Sequence, residues 1–427
     1  MMREHLAEAI GWRRSLHRCP QPAWLEFFAT AFVAEKLTQW GYKVKQGREI
    51  IEEGRQLLLP DAQTLEKEYQ RALKAGAKTE FLEKAKGGFT GVVATLKGAL
   101  PGPVVAFRFD IDSNEVTETS DASHRPAKEG FCSENPGYAH MCGHDVHTAT
   151  GLLLAQYFAG VAATLKGTVK FIFQPNEENL SGAAAMVERG VLDDVDVLLG
   201  GHVGISLKKL GQICFNVHSF LAMSRFEVTM TGRPIHAALR PDEGKNALLG
   251  ACAAVTNLYA IARQGLGASR GNVGTLEAGT TWNVIPDRAY FRMETRGVTN
   301  EISEYMTKKA YEVLKGAAAM YDLGLEIKPA AVALSAANSP ELIDLGAKVA
   351  KDLPSVTEIV PEAAFNASED VTLMMERVQS YGGKAMFALF GTPIAGGHHN
   401  AAFDVDETVI ADAAEFLAKM QEAVTAG

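Results

Sequence analysis

Thr168-Val169-Lys170-Phe171-Ile172-Phe173-Gln174-Pro175-Asn176-Glu177-Glu178 is the stretch that decides how this chain is read. Its first half is a short run rich in β-branched and aromatic residues, the pattern of a buried strand. A proline stops the run, and two adjacent carboxylates follow. The same design recurs three times. Residues 104–109 lead into Asp110-Ile111-Asp112, residues 195–199 into Gly200-Gly201-His202, and residues 385–390 into Gly396-Gly397-His398-His399-Asn400. Stretches of helical spacing lie among them, at 148–165, 183–188 and 370–379. Strands alternating with helices predict an α/β fold with a mostly parallel central sheet. Ligands of such sheets gather beyond the carboxyl ends of the strands, so these distant clusters can meet.

A fifth cluster precedes the 148–165 helix: His140-Met141-Cys142-Gly143-His144-Asp145-Val146-His147. Cys142 and His144 are metal-ligand types two residues apart, and Gly143 between them lets the backbone bend. Two donors do not close a metal site, since zinc takes about four ligands and a catalytic zinc keeps one position open. Glu177 and Glu178 point different ways from one strand end. One can hold a cation while the other takes a proton from water beside it. His202 and His399 each follow a strand and a glycine pair. Each residue alone has an ordinary alternative: a core cysteine, a solvated acidic turn, a structural histidine. Ligand-type residues at four separate strand ends, together with Cys142 and His144, outweigh those alternatives.

A chain of 427 residues is long for one core, so two domains are expected. After Cys214 the pattern changes to alternating strands at 225–231, 272–278 and 288–295, with helices at 246–261 and 301–320. We therefore expect a smaller α+β two-layer domain at 215–330, inserted in a catalytic domain of 1–214 and 331–427. Residues 47–86 are charged and helix-prone, with Pro60-Asp61 as a helix start, and read as an exposed helical insertion. The net charge of −9 argues against nucleic acid or an anionic membrane as partner. No apolar run reaches spanning length. Five scattered cysteines make a poor disulfide framework and suit a reducing compartment. With no apolar signal core near the N-terminus, the expected location is the cytoplasm.

Four motifs together resemble the amidohydrolase branch of the aminoacylase/carboxypeptidase metallopeptidases: Met141-Cys142-Gly143-His144-Asp145-x-His147, Gln174-Pro175-x-Glu177-Glu178, Gly201-His202-Val203-Gly204 and His399-Asn400. The likeness extends over essentially the whole chain. The 47–86 segment, Gly87-Gly88-Phe89-Thr90-Gly91 and the Ser-His-Arg-Pro of 123–126 resemble a narrower group acting on p-aminobenzoyl-glutamate. The resemblance implies a metallopeptidase-type catalytic domain with an inserted lid and dimerisation domain. It implies two divalent metal ions, zinc or manganese, held by Cys142, His144, Glu178, His202 and His399, with Cys142 bridging the ions. His398 is the alternative to His399. Glu177 becomes the general base. Asp110 and Asp112 become groups that orient a ligand, and Asp145, His140 and His147 take the same provisional role.

In the inserted domain, Thr231-Gly232-Arg233-Pro234-Ile235-His236-Ala237 resembles a motif whose histidine holds the scissile carbonyl, in many members from the partner protomer. Asn283 and Arg296 match positions that bind the substrate carboxylate. The implied reaction is hydrolysis of an N-acyl amino acid, first p-aminobenzoyl-glutamate, with other N-acyl amino acids or small peptides as the alternative. The implied assembly is a homodimer, or a heterodimer with a homologous subunit. The reading from another class has the chain serve only as a metal-stabilised assembly partner. Retention of Glu177 and every ligand argues against it. Departures from the family pattern at Ser113-Asn114, Asn176, Leu180-Ser181 and Ala184 remove no ligand and bear on acyl-group specificity.

Overall fold

Leu100–Asp110 lies inside the larger sheet because both of its faces are apolar: Val105, Ala106, Phe107 and Phe109 are all buried. It pairs in parallel with Lys166–Gln174 on one side and Val197–Val203 on the other. Val197–Val203 in turn pairs in parallel with Lys384–Phe390. Strands buried on both faces read as near-continuous apolar runs, which is why the sequence reveals these four. Antiparallel strands extend the sheet on both flanks. Val92–Lys97 and then Lys43–Lys45 lie beyond Lys166–Gln174, while Gln212–Cys214 lies beyond Lys384–Phe390. The α/β architecture is thus mainly parallel at its centre. The register sets Asp110 opposite Gln174 and Val203 opposite Phe390. All four central strands therefore release their turns along one edge.

The computed structural model describes residues 2–426. They divide into two compact units. The first comprises the chain up to His218, Ala336–Phe365 and the chain from Asp370 onward; the second comprises Ser219–Ser335 and Asn366–Glu369. Among the described residues, no helix is long and apolar enough to cross a membrane.

In the first unit, the helix His144–Gly160 is buried along most of its length, its polar first turns included, and Leu152, Leu153 and Leu154 are all in the core. It begins four residues earlier than the spacing at 148–165 predicts. Gly143 has φ 94°, and a Cβ there would lie 2.8 Å from the Val203 side chain. The chain turns directly into the helix at that glycine, so His144 sits in the first turn rather than in a loop. The insertion forms the helices Ala62–Lys74 and Thr79–Ala85, the first capped by Asp61 accepting from the Thr64 N–H. It is not simply exposed. Tyr69, Ala72, Phe81 and Leu82 are buried, and the Tyr69 ring meets the edge of Phe27 at 5.8 Å.

The second unit is an antiparallel sheet with two helices. Ala222–Thr231 lies between Arg288–Gly297 and Gly324–Ala333, and Ser269–Ala278 forms the far edge. Val228, Met230 and Phe291 pack against Ala251 of the helix Ala247–Tyr259 and Leu314 of the helix Asn300–Met320. The Gly324–Ala333 strand is not anticipated from sequence. Its alternation breaks at a bulge between Pro329 and Ala331.

Candidate metal centre

The strand-end clusters of the first unit converge. The Asn114 side chain accepts from the Met141 N–H at 2.9 Å, and the Met141 carbonyl accepts from the His399 N–H at 2.7 Å. These bonds bring the loop after Lys384–Phe390 against the Cys142 motif. His399 makes that turn in the left-handed region, with φ 60°. Its Nε2 comes within 3.3 Å of Glu178 Oε1. His398 faces elsewhere, with Nε2 3.3 Å from the Val203 carbonyl. The chain geometry thus offers His399, not His398, to the acidic pair.

Cys142 Sγ lies 3.4 Å from His202 Nε2. Donor atoms of Cys142, His144 and His202 lie within 4.8 Å of one another, and so do those of Cys142, Glu178 and His399. Cys142 belongs to both groups, so its sulfur is the donor they share. Glu177 and Glu178 both approach His144 Nε2, at 3.7 and 3.8 Å.

Hydrogen bonds settle which nitrogen each ring presents. His144 Nδ1 donates to the carbonyl and carboxylate of Asp112, at 3.0 and 3.1 Å, which turns Nε2 into the cluster. His202 Nδ1 donates to the Val203 carbonyl at 2.8 Å, which does the same. His144 Nε2 and Glu178 Oε1 are buried polar atoms without a hydrogen-bond partner among the described residues. Such atoms are costly unless something else satisfies them, and a divalent cation is what this donor set fits.

The protonation balance agrees. Burial pushes the Cys142 thiol up, with the Glu178 charge adding to it. Burial, with His147 and His398 beside it, holds His202 well below its ordinary value, in the neutral form that binds metal. Against burial, Asp110 and the Asp112 hydrogen bond hold His144 well above its usual value. The Cys142 sulfur and the Glu178 carboxylate beside it carry His399 up to about 10. Donors that compete for protons in this way are the ones that release them when a cation binds.

The supporting residues divide more sharply than their sequence spacing suggests. Asp112 orients His144 and also accepts from the Glu178 N–H at 2.9 Å. His147 donates from Nδ1 to Asp110 at 2.6 Å and accepts on Nε2 from the Val203 N–H at 3.1 Å, so neither nitrogen remains for a cation. Asp145 turns away to Arg13 and His17, at 2.7 and 2.8 Å. His140 is buried and held down to about 3, chiefly by burial.

Sequence reasoning missed Arg13, His17 and Glu26. Each is a fully buried ionisable group. Glu26 interrupts the apolar run Trp24-Leu25-Glu26-Phe27-Phe28, which is the one signal that marks it. Burial and the Asp112 charge push it up to about 8.

His236, Asn283 and Arg296 belong to the second unit. There His236 is exposed and forms a bridge to Val284, and the Asn283 carbonyl accepts from the Ala237 N–H at 3.0 Å. Arg296 is half-buried and paired with Glu294 at 2.7 Å.

Residues 106–423 match the model of Peptidase family M20/M25/M40. The chain is 44% identical to the indole-3-acetyl-aspartic acid hydrolase of Enterobacter agglomerans, over 98% of this chain and 96% of that protein. It is 42% identical to one subunit of the p-aminobenzoyl-glutamate hydrolase of Escherichia coli (strain K12), over 96% and 94%. Among solved structures, the aminobenzoyl-glutamate utilization protein from Klebsiella pneumoniae matches with a TM-score of 0.85 at 38% identity, covering 98% of this chain and 96% of that one. The chain therefore belongs to peptidase family M20/M25/M40 and is a hydrolase of amide bonds.

Proposed function

We propose that this hydrolase cleaves N-acyl amino acids whose amine side is acidic, with p-aminobenzoyl-glutamate as the first substrate to test. Two relatives carry names that join an aromatic-bearing acyl group to aspartate or glutamate, so indole-3-acetyl-aspartate stands next. The observation that carries the reading is Glu177, a largely buried carboxylate 3.7 Å from His144 Nε2 at the edge of the donor set.

Cys142, His144, Glu178, His202 and His399 would hold two divalent cations, which lower the pKa of water and offset negative charge on a carbonyl oxygen. Thiolate favours zinc, while carboxylate and imidazole also suit manganese. Glu177 takes a proton from the attacking water, whose oxygen bonds to the scissile carbon. Glu177 then returns that proton to the leaving nitrogen as the C–N bond breaks. His236 donates to the developing oxyanion, and Asn283 and Arg296 hold the substrate carboxylate. A guanidinium suits that task because it grips a carboxylate with two hydrogen bonds.

The second unit supports assembly with a second copy of the chain. Its edge strand Ser269–Ala278 exposes Leu276, and the helix Ala247–Tyr259 exposes Leu249 and Tyr259. An open strand edge bordered by apolar side chains is a surface that pairs readily. Cys19, Cys132, Cys142, Cys214 and Cys252 are all free, which fits the cytoplasm.

The decisive experiment is Glu177→Gln assayed on p-aminobenzoyl-glutamate and a panel of acyl-amino acids, with metal content measured. Metal should stay bound while turnover falls by about 10²–10⁴-fold. Undiminished hydrolysis would remove Glu177 from the mechanism.

A further inference from the structure

Glu26 has no exposed surface, and among the described residues no lysine or arginine pairs with it. A buried carboxyl group without a counter-cation is costly to ionise, and both of its oxygens are engaged with neutral groups. Oε2 accepts from Thr90 Oγ1 at 2.6 Å, and Oε1 accepts from the Asn176 N–H at 2.8 Å. Asn176 immediately precedes Glu177 and stands in the left-handed region, at φ 52°, a conformation that neighbouring structure must hold.

The turn around Asn176 is closed upon itself. The Asn176 carbonyl accepts from the N–H groups of Ser181 and Gly182, at 3.3 and 3.1 Å, and its side-chain amide donates to Ser181 Oγ at 2.7 Å. A Cβ on Gly182 would fall 1.6 Å from the Pro175 carbonyl oxygen, so only glycine fits there. Two carboxylates grip this closed turn from outside. Asp112 takes the Glu178 N–H and Glu26 takes the Asn176 N–H. Glu177 is the residue between the two gripped peptide groups.

We propose that Glu26 is a positioning residue: by fixing the Asn176 peptide it sets the backbone from which Glu177 reaches the reacting water. This rests on the reading of Glu177 as general base. Thr90 anchors Glu26 in turn, and Thr30 Oγ1 accepts from the next N–H, that of Gly91, at 2.8 Å. The side chains of Glu26 and Thr30 thereby tie the start of the helix Phe27–Gln39 to the backbone at Asn176 and Gly91. A base displaced by about 1 Å loses rate on the order of 10²-fold while binding is little changed.

The test compares Glu26→Ala, Glu26→Leu and Glu26→Gln, all assayed beside Glu177→Gln. A glutamine keeps both contacts, its carbonyl accepting from Asn176 and its amide donating to Thr90 Oγ1. Alanine and leucine keep neither, and leucine fills the space without leaving a cavity. We expect kcat to fall about 10–100-fold in the alanine and leucine variants, with KM and metal content unchanged. The glutamine variant should stay within about threefold of wild type. If Glu26→Ala does not fold, the leucine variant decides. Wild-type kcat in the apolar variants, or equal losses in all three, would overturn the proposal. Should Glu177→Gln turn over normally, the general-base reading itself falls; should it be inactive while the apolar variants are normal, only the role of Glu26 falls.

Discussion

Arg13→Met is the substitution whose cost the structure defines most closely. The Arg13 guanidinium is fully buried and meets three carboxylates: Asp145 at 2.7 Å, Asp404 at 3.1 Å and Glu407 at 3.2 Å. The three come from distant places, beside His144 and a few residues beyond His399. Methionine fills much the same volume but leaves the acids behind. They are not wholly abandoned, since His17 still holds Asp145, Arg125 holds Asp404, and Arg14 and Arg125 hold Glu407. The loss is therefore that of one broken buried pair rather than three, about 3–5 kcal/mol. For a unit of roughly 300 residues, with an unfolding entropy of about 2.1 cal/mol/K per residue, this lowers the unfolding temperature by roughly 5–8 °C.

The pH dependence of this loss has a definite sign. Against burial, Arg13 and His17 hold Asp145 far below the ordinary carboxylate range. Arg125 and Arg13 also lower Asp404, and Arg14 and Arg13 lower Glu407. Folded values below unfolded ones give stability that is present above the unfolded pKa, near 4, and lost as pH falls through the folded value. Urea unfolding of metal-loaded wild type and variant, followed by tryptophan fluorescence, should show the full gap at pH 7 and a gap that narrows only as pH falls below about 4. A gap under about 1 kcal/mol at pH 7, or one that is already lost well above pH 4, would refute the assignment of Arg13 as the shared counter-ion.

Two further outcomes concern the metal centre and the assembly. His399→Ala should reduce metal content and abolish turnover, while His398→Ala should leave metal content near wild type; elemental analysis after gel filtration separates them, and the reverse order would exchange their roles. Mixing His236→Ala with Glu177→Gln protomers should restore part of the activity, because half of the centres then combine an intact base with His236 of the partner subunit. No recovery in verified mixed dimers would assign His236 to the centre of its own chain.

The four central strands were legible because double burial leaves a continuous apolar run, and the clusters at their ends follow from that. Several details were beyond reach of spacing. The choice between His398 and His399 depends on a left-handed residue, which no local pattern announces. The early start of the His144–Gly160 helix depends on Gly143, whose positive φ replaces an ordinary cap. The burial of Tyr69 and Phe81 was hidden because their helices carry so many charges. Arg13 and Glu26 escaped because their partners lie up to 394 positions away along the chain. An ionisable residue inside an apolar run signals only that some partner exists.

Cys142 and His399 are separated by more than half of the polypeptide, yet one backbone bond through Met141 sets them side by side. The donor group that contains His399 therefore waits for the last tenth of the chain. A chain that stops short of His399 keeps Cys142, His144 and His202 but lacks the third member of the Cys142, Glu178 and His399 group. Completion of the Cys142, Glu178 and His399 group must then come after nearly all of the chain has been made.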